Sequence, residues 1–589
     1  MNNQQEFYTK KKAEAESQRF ELKKKASTLA WARGILFVVG AAGVYSFWSL
    51  LSTYWPILIL LVGVFLWLVK KYQEVKKNIS FIDNIIEINQ TEIDIYNGQT
   101  ESRKKGSEYL NPDHAFSNDI DLFGEGSFFQ FINRTTTLKG ERLLVENLTK
   151  NDIHNIEDKQ EEIKELAEKS EFRQRFTAQS MMVELKSNSS KLLTWFDEQS
   201  KRNPSSKKWL VFSFSLISIA LILLSYFQFI DSNIVMYWFF IGLGITAFRL
   251  KVTNGIAANA EKYTDMVSQY SSLIENIEEE DFKSKRLIQI KNNIRTEDLK
   301  ASVILKDLEK IINGLNNRRS ILISVLLNGF FLYDYYFVDK FDQWIANYTD
   351  NLRSWFDSIY HIDSVNSLAG YAFNHPKYIF PKLTKSGSII NATELGHPQI
   401  SEAKRVNNDI TIDEKQFIII TGANMAGKST FLRTISLHIA LANSGLPAAA
   451  KSFNYKPIKL ISSMRTSDSL KDQESYFFSE LKRLKYIIDT IQSEDHFVVL
   501  DEILKGTNSK DKEEGSKKFV KKLTESGATG IIATHDLSLC ELSKEHDQVS
   551  NKYFDAEIKD DELFFDYKFK DGVCHNMNAS FLLRKMEIV

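Results

Sequence analysis

The sequence predicts an α/β domain at the C-terminus, preceded by an all-helical region that two apolar hairpins interrupt. Three observations predict it. Residues 416–430, QFIIITGANMAGKST, join a continuous apolar run to a glycine-bounded loop that ends in Lys428 and Ser429. Two more short apolar runs, in FVVLDE (497–502) and GIIATHD (530–536), end in carboxylates or a histidine. Residues 34–69 carry no charged side chain, and residues 209–248 carry only Asp231.

The totals set the limits. A chain of 589 residues has room for three or four domains. A net charge of −1 argues against a chain-wide attraction to nucleic acid, while local basic patches stay open. Cys540 and Cys574 form no CxxC and have no histidine at metal-ligand spacing, so neither a disulfide framework nor a zinc site is expected. Residues 1–30 are polar and Lys-rich, without an apolar h-region; they predict a basic cytoplasmic helix and no cleavable signal peptide.

The next element, 31–70, holds an apolar run too long for one crossing and barely long enough for two, since a crossing helix needs about 20 residues. It predicts a transmembrane hairpin with helices at about 32–51 and 55–70 and a turn at Ser52–Pro56. A helical linker follows at 71–115. The first part of a helical domain is expected at 116–208, and a second hairpin at 209–250, turning at Asp231. Lys23–Lys25, Arg33, Lys70, Lys71, Lys207, Lys208, Arg249 and Lys251 flank the hairpins, and the turns carry no Lys or Arg. Both hairpins are therefore expected to enter from and return to the cytoplasm, giving a multi-pass protein of the cell membrane with four spans. Two pairs of buried core helices are the blander alternative, but core helices seldom run this long without a charge. No Asp, Glu, Lys or Arg lies inside a span, so the hairpins read as anchors and not as an ion pathway.

Residues 251–375 complete the helical region. IDNIIEINQTEIDIYNGQ (82–99) and ASVILKDLEKIINGL (301–315) have apolar residues at three- and four-residue spacing, as amphipathic helices do. The aromatic cluster FFLYDYYFVDKFDQW (330–344) has the spacing of a core face, which outweighs base stacking as its explanation.

The last element, 376–589, carries the chemistry. Gly422–Ser429 fits GxxxxGKS between a strand and a helix, the context of a P-loop. Gly422, Ala423, Asn424, Met425, Ala426 and Gly427 offer backbone N–H groups to phosphates. Lys428 brings a positive charge to the β- and γ-phosphates, and Thr430 opens a helix whose dipole favours an anion. The Ser429 hydroxyl and Asp501 suit Mg²⁺, Glu502 suits activation of the attacking water, and His535 suits contact with the γ-phosphate. All of these residues stand at the carboxyl ends of predicted strands, where doubly wound sheets bind ligands. The prediction is a P-loop ATPase using ATP and Mg²⁺.

These motifs resemble the MutS family of DNA mismatch repair ATPases. TGANMAGKST (421–430) resembles that family's TGPNMGGKST, departing at Ala423 and Ala426. LDEILKGTNSKD (500–511) and ATHDLSL (533–539) resemble its carboxylate strand and histidine loop. MRTSDSLKDQESYFFSEL (464–481) resembles its signature segment, with the signature serine at Ser475. GHPQI (396–400) and RVNNDITI (405–412) resemble its approach to the adenine, with Val406 and Asn407 as base contacts. YKFKDG (567–572) resembles its closing strand. More weakly, FFQFINRTTTLKGERLLVENL (128–148) and SLAGYAF (367–373) resemble the start of its helical core and the end of its lever helix. The resemblance implies a MutS/ABC-type ATPase and a homodimer in which Ser475 reaches the nucleotide of the opposite subunit. It also implies DNA as the object gripped. The Lys-rich helix and first hairpin stand where that family has its mismatch-reading domain, and the second hairpin stands where its core helices extend toward a DNA clamp. Direct mismatch reading is not expected, and FDE at 196–198 is read as a chance match to the family's Phe-x-Glu wedge.

Three functions are open at this point. One is a membrane-anchored MutS-type ATPase coupled to DNA. The second is a membrane-bound mechanochemical or signalling ATPase acting on a protein or lipid partner. Half of an ABC transporter is the third and weakest, because no LSGGQ-type signature or polar pathway is present.

Overall fold

The computed structural model describes residues 3–46, 51–182, 189–202, 208–296, 299–316, 318, 321–423, 425–465, 476–505, 507–559 and 562–574. Two long helices, Asn3–Ser46 and Leu51–Tyr96, run antiparallel as a stalk. Their contacts Gln5–Asn97, Lys12–Gln90 and Arg19–Asp83 step by seven residues on each helix, the repeat of a coiled coil. Phe37 meets Phe65 further along in the same register. The boundaries expected near 30 and 70 are therefore not breaks, because the Lys-rich and apolar parts share helices that pair along their length. Ser52–Pro56, expected to form the turn, belong to the second helix.

The second apolar region holds helices Lys208–Tyr226 and Ser232–Ala247. Asp231 caps the latter, its carboxylate accepting the Asn233 N–H at 2.9 Å. Trp238 Nε1 donates to Ser218 Oγ at 2.8 Å, and Trp238 stacks on Phe214. The eleven-residue helix Ile321–Phe331, which the sequence did not single out, packs against both. By length and composition two described helices suffice to cross a membrane, Asn3–Ser46 and Lys208–Tyr226. Ser232–Ala247 and Leu250–Glu279, bent by 67°, qualify only as a pair, so the four single spans of the sequence reading are not all recovered.

The lever helix Tyr333–Asn374 runs 42 residues from this apolar unit to the α/β domain. Its Asp363 carboxylate accepts the N–H and hydroxyl groups of both Thr136 and Thr137, fixing the lever to the helical core. Tyr335, Val338, Phe341 and Trp344 are buried, as a core face requires. Phe196 is fully buried beside Trp195 and Trp344, so FDE is not an exposed wedge.

The C-terminal domain is built on a six-stranded sheet. Its strands lie in the order Phe569–Asp571, Val549–Phe554, Phe417–Gly422, Thr529–Ala533, His496–Asp501, Lys459–Ser463. All neighbours are parallel except the first pair. The central strands are buried on both faces, which is why they read as unbroken apolar runs. A four-stranded sheet, of Lys382–Leu383, Ser452–Tyr455, Ile390–Leu395 and Asn408–Ile412, stands beside it. The segment before residue 123 braces the edge strand: Ala115 O accepts the Ser462 N–H and Asp119 accepts the Ser462 hydroxyl.

Candidate functional site

Strand register brings the three motifs together. Ala533 pairs with Ile420 on one side and with Asp501 on the other, so Gly422, Glu502 and His535 leave the sheet at one level. Gly422 has φ +148°, and a Cβ there would lie 2.5 Å from Phe554 O, so only glycine fits. Met425 has φ 69° and is exposed, whereas Ala426 is buried with ordinary backbone, so the alanine at 426 carries no backbone strain. Gly427, at φ +102°, caps helix Lys428–Asn443. Ala423, Met425, Gly427, Lys428, Ser429 and Thr430 line one cavity of about 480 Å³ together with Glu502. Asn424 and Ser475 lie outside the described residues.

The Lys428 ammonium donates to Gly422 O at 2.8 Å and Ala423 O at 3.0 Å, folded back on its own loop. Burial lowers its pKa against the carboxylates of Glu502 and Asp501, which favour the charge. His535 Nε2 stands 3.3 Å from Lys428 Nζ and 2.9 Å from Glu502 Oε1. That contact with His535 leads in holding the Glu502 carboxyl down at about 2, so Glu502 is charged at any working pH. Burial pushes Asp501 above the usual carboxylate range, although the Ser429 hydroxyl bonds to it. A buried carboxylate beside a hydroxyl is a fitting half-site for a hard cation that takes its other ligands from phosphate and water. Among the described residues no group of three or more His, Cys, Asp or Glu stands ready as an all-protein metal cage.

Val406 lines the same cavity. Asn407, expected beside it as a base contact, does not: its Oδ1 accepts from Arg405 Nε at 2.9 Å, and it lines a neighbouring cavity. Strand alternation explains this, since adjacent residues entering Asn408–Ile412 point to opposite sides. Asn408 and Tyr567 line the nucleotide-sized cavity instead, and Asn408 Nδ2 donates to Tyr567 O at 3.0 Å. Tyr567 lies in the quoted closing segment; an aromatic ring opposite a phosphate loop was the available signal. Glu480 is a second residue the sequence did not single out. Nearly fully buried, it accepts the N–H of Leu504 at 2.6 Å and of Lys505 at 3.1 Å, bracing the loop that follows Glu502.

Comparison with known proteins adds an independent line. The family model for MutS domain V matches residues 418–584. The chain is 29% identical over 229 residues to the DNA mismatch repair protein MSH4 of Arabidopsis thaliana, covering 38% of this chain and 28% of that protein. It is 32% identical over 216 residues to the DNA mismatch repair protein MutS of Aquifex pyrophilus, covering 36% and 25%. MutS protein homolog 4 of Homo sapiens is 27% identical over 231 residues, covering 38% and 24%. The chain thus spans about a quarter of the length of these relatives, all in its C-terminal part.

Proposed function

We propose that this chain, whose residues 418–584 match MutS domain V, is a membrane-anchored member of the MutS family, an ATPase that binds and hydrolyses ATP in a homodimer and uses the cycle to control a grip on DNA. The observation that carries this reading is the convergence of Lys428, Ser429 with Asp501, and Glu502 with His535 at the ends of three adjacent parallel strands. Lys428 leaves its own loop carbonyls for the β- and γ-phosphates. Ser429 and Asp501 hold Mg²⁺, which supplies charge neutralisation at the phosphates. Glu502, already ionised and held by His535, orients and polarises the attacking water. Val406, Asn408 and Tyr567 flank the base. Ser475 completes the site of the opposite subunit, a role carried over from the family resemblance alone.

The membrane part of the proposal rests on exposure. Phe37, Val38 and Val39 on the stalk, and Trp209, Phe212 and Phe240 on the second unit, are each more than half exposed. Contiguous apolar surface of that extent calls for a partner, and lipid fits it. The stalk foot, helical core and α/β domain then lie on the cytoplasmic side of the cell membrane.

DNA is carried to this chain from the names of its relatives, DNA mismatch repair proteins. One observation favours a second reading, a mechanochemical or signalling ATPase acting on a protein or lipid partner. The end of the lever far from the α/β domain packs, through Tyr335, on Val211 and Phe214 of the apolar helix Lys208–Tyr226. What the lever meets there is an apolar unit. The test uses the full-length protein in detergent. Mg²⁺-dependent ATP turnover that is lost in Lys428→Ala and Glu502→Gln supports the ATPase; turnover indifferent to both sinks it. Binding to duplex, mismatched, branched and single-stranded DNA across a salt series then separates the two readings. Nucleotide-dependent, structure-selective binding supports the first, and no binding above the non-specific level supports the second.

A further inference from the structure

A cavity of about 310 Å³ lies where the foot of the stalk meets the helical core and the lever. None of residues 422–430 lines it. Tyr8 and Glu92 come to it from the stalk, Arg103, Arg134 and Arg173 from the core, and Asn366 from the lever. Arg134 forks onto Glu92, with Nη2 at 3.0 Å from Oε2. Arg103 and Arg134 both donate to the Asn133 carbonyl, which sets two guanidiniums side by side. Arg173 donates to Leu166 O at 2.7 Å. Among the described residues neither Arg103 nor Arg173 has an ion-pair carboxylate; the cavity wall also carries Lys104, paired with the buried Glu141, and the exposed Glu87, so four cations face three carboxylates and the charge of the wall is not balanced. Uncompensated charge of this kind is costly. Burial, together with the charge of Arg134, pushes Arg103 down to about 9, and burial lowers Arg173 as well.

The second observation is Asn366. It is 4% exposed, and neither its Oδ1 nor its Nδ2 has a hydrogen-bond partner. A buried amide on the wall of a cation-rich cavity, with its donor free, matches an anion that both guanidinium and amide N–H groups can reach.

We propose that this cavity is a binding site for a small, soluble phosphate-bearing anion, held by Arg103, Arg173 and Asn366. Guanidinium pairs suit the planar, multi-oxygen face of phosphate better than a point charge does. A lipid headgroup is disfavoured by position. The uncharged run begins at Gly34, 26 residues of stalk helix beyond Tyr8, or roughly 39 Å at 1.5 Å per residue. Because the ligand touches stalk, core and lever at once, its binding ties the membrane-proximal hairpin to the lever and makes the joint a regulatory point. The inference does not depend on the ATPase reading.

The experiment uses the full-length protein in detergent carrying Lys428→Ala, so that the phosphate loop does not supply the signal. Inorganic phosphate and pyrophosphate are titrated at constant ionic strength, with binding followed by calorimetry and by the thermal midpoint. The expected result is saturable binding and a raised midpoint, weakened at least ~10-fold when Arg103→Gln and Arg173→Gln are added, by loss of two charge-assisted contacts. Asn366→Leu guards against a folding failure: it removes an unpaired buried amide, so it is expected to melt no lower than its parent, yet to lose the phosphate response. Absence of any phosphate response, or a response undiminished in Asn366→Leu and in the double arginine variant, overturns the proposal. Binding of vesicles containing phosphatidate that is weakened by the same substitutions, with no binding of inorganic phosphate or pyrophosphate, also overturns it in favour of lipid.

Discussion

The Glu480 carboxylate accepts the backbone N–H of Leu504 at 2.6 Å, two residues beyond Glu502. Both Glu502 and Leu504 are non-glycine residues at positive φ, 48° and 60°. Such backbone persists only where its surroundings hold it. Glu480 is therefore a positioning residue, acting on Glu502 through the loop. In Glu480→Ala the buried N–H of Leu504 and the part-buried N–H of Lys505 lose their acceptor, a cost of about 1–3 kcal/mol for the buried one. The expected outcome is a lower kcat for ATP with KM little changed and a depressed Tm. Glu480→Gln, which keeps one acceptor oxygen, falls between. Steady-state turnover of the three proteins decides: equal kcat in all three removes the bracing role.

The Glu502–His535 contact gives a sharper expectation. Glu502→Gln keeps the shape and loses the negative charge that polarises the attacking water, so turnover is expected to fall by about 10²–10⁴-fold. Nucleotide affinity, set by the phosphate loop, changes little. His535→Ala removes the leading cause of the depressed Glu502 pKa. The Glu502 pKa then rises toward the ordinary carboxylate range, so the variant loses activity on acidification toward pH 4–5 while the parent does not through this group. Paired pH–rate profiles read this directly, and superimposable profiles refute it.

Much of this site was legible because buried parallel strands leave a plain trace. Phe417–Ile420, Phe497–Leu500 and Gly530–Ala533 are unbroken apolar runs, and in each the chemistry starts where the run stops. What was not legible depends on contacts distant in sequence. The heptad step of Gln5, Lys12 and Arg19 has meaning only against Asn97, Gln90 and Asp83, more than sixty residues away. Ile321–Phe331 is too short to announce itself as part of the apolar unit and joins it only by packing on Lys208–Tyr226 and Ser232–Ala247. Asn407 was misplaced by the one-residue alternation of a strand entry, and Glu480 hid in a segment whose resemblance drew attention to Ser475.

One buried histidine, His438, and two half-buried ones, His375 and His397, make stability sensitive to acid. His438 Nδ1 stands 2.7 Å from Thr434 O, and its Nε2 accepts the Ala449 N–H at 3.1 Å. This pattern fixes the neutral tautomer, because protonating Nε2 would turn two N–H groups against each other. Burial leads in lowering His438, His397 and His375 to about 4. The unfolded value is near 6.5, so the folded pKa is depressed. For a depressed histidine, stability is present above pH 6.5 and is lost as pH falls toward 4, by up to about 1.4 kcal/mol per pH unit per residue. Denaturant titrations from pH 7.5 to 4.5 are expected to follow this fall. His438→Gln, which can still accept from Ala449, is expected to lose one histidine's share of the slope; an unchanged slope rejects the assignment.

The second apolar unit is closed by a glycine contact. A Cβ on Gly242 would stand 2.2 Å from Gly329 O, and one on Gly329 would stand 2.1 Å from the Phe239 ring. Helices Ser232–Ala247 and Ile321–Phe331 therefore meet backbone to backbone, the close approach that small residues permit in apolar surroundings. Gly244, two residues along the same helix and so on another face, has nothing within 4 Å of its would-be Cβ. The two glycines separate packing from helix propensity. Gly242→Ala forces the helices apart and is expected to cost about 1–3 kcal/mol, as overpacking does. Gly244→Ala meets no atom and is expected to be neutral or to stabilise by roughly 0.5–1 kcal/mol, because alanine restricts the unfolded chain and favours helix. Thermal midpoints in detergent should move in opposite directions, and in Gly242→Ala limited proteolysis should begin near Ile321–Phe331. Equal shifts in the two variants would mean that the Gly242–Gly329 contact does not hold this unit together.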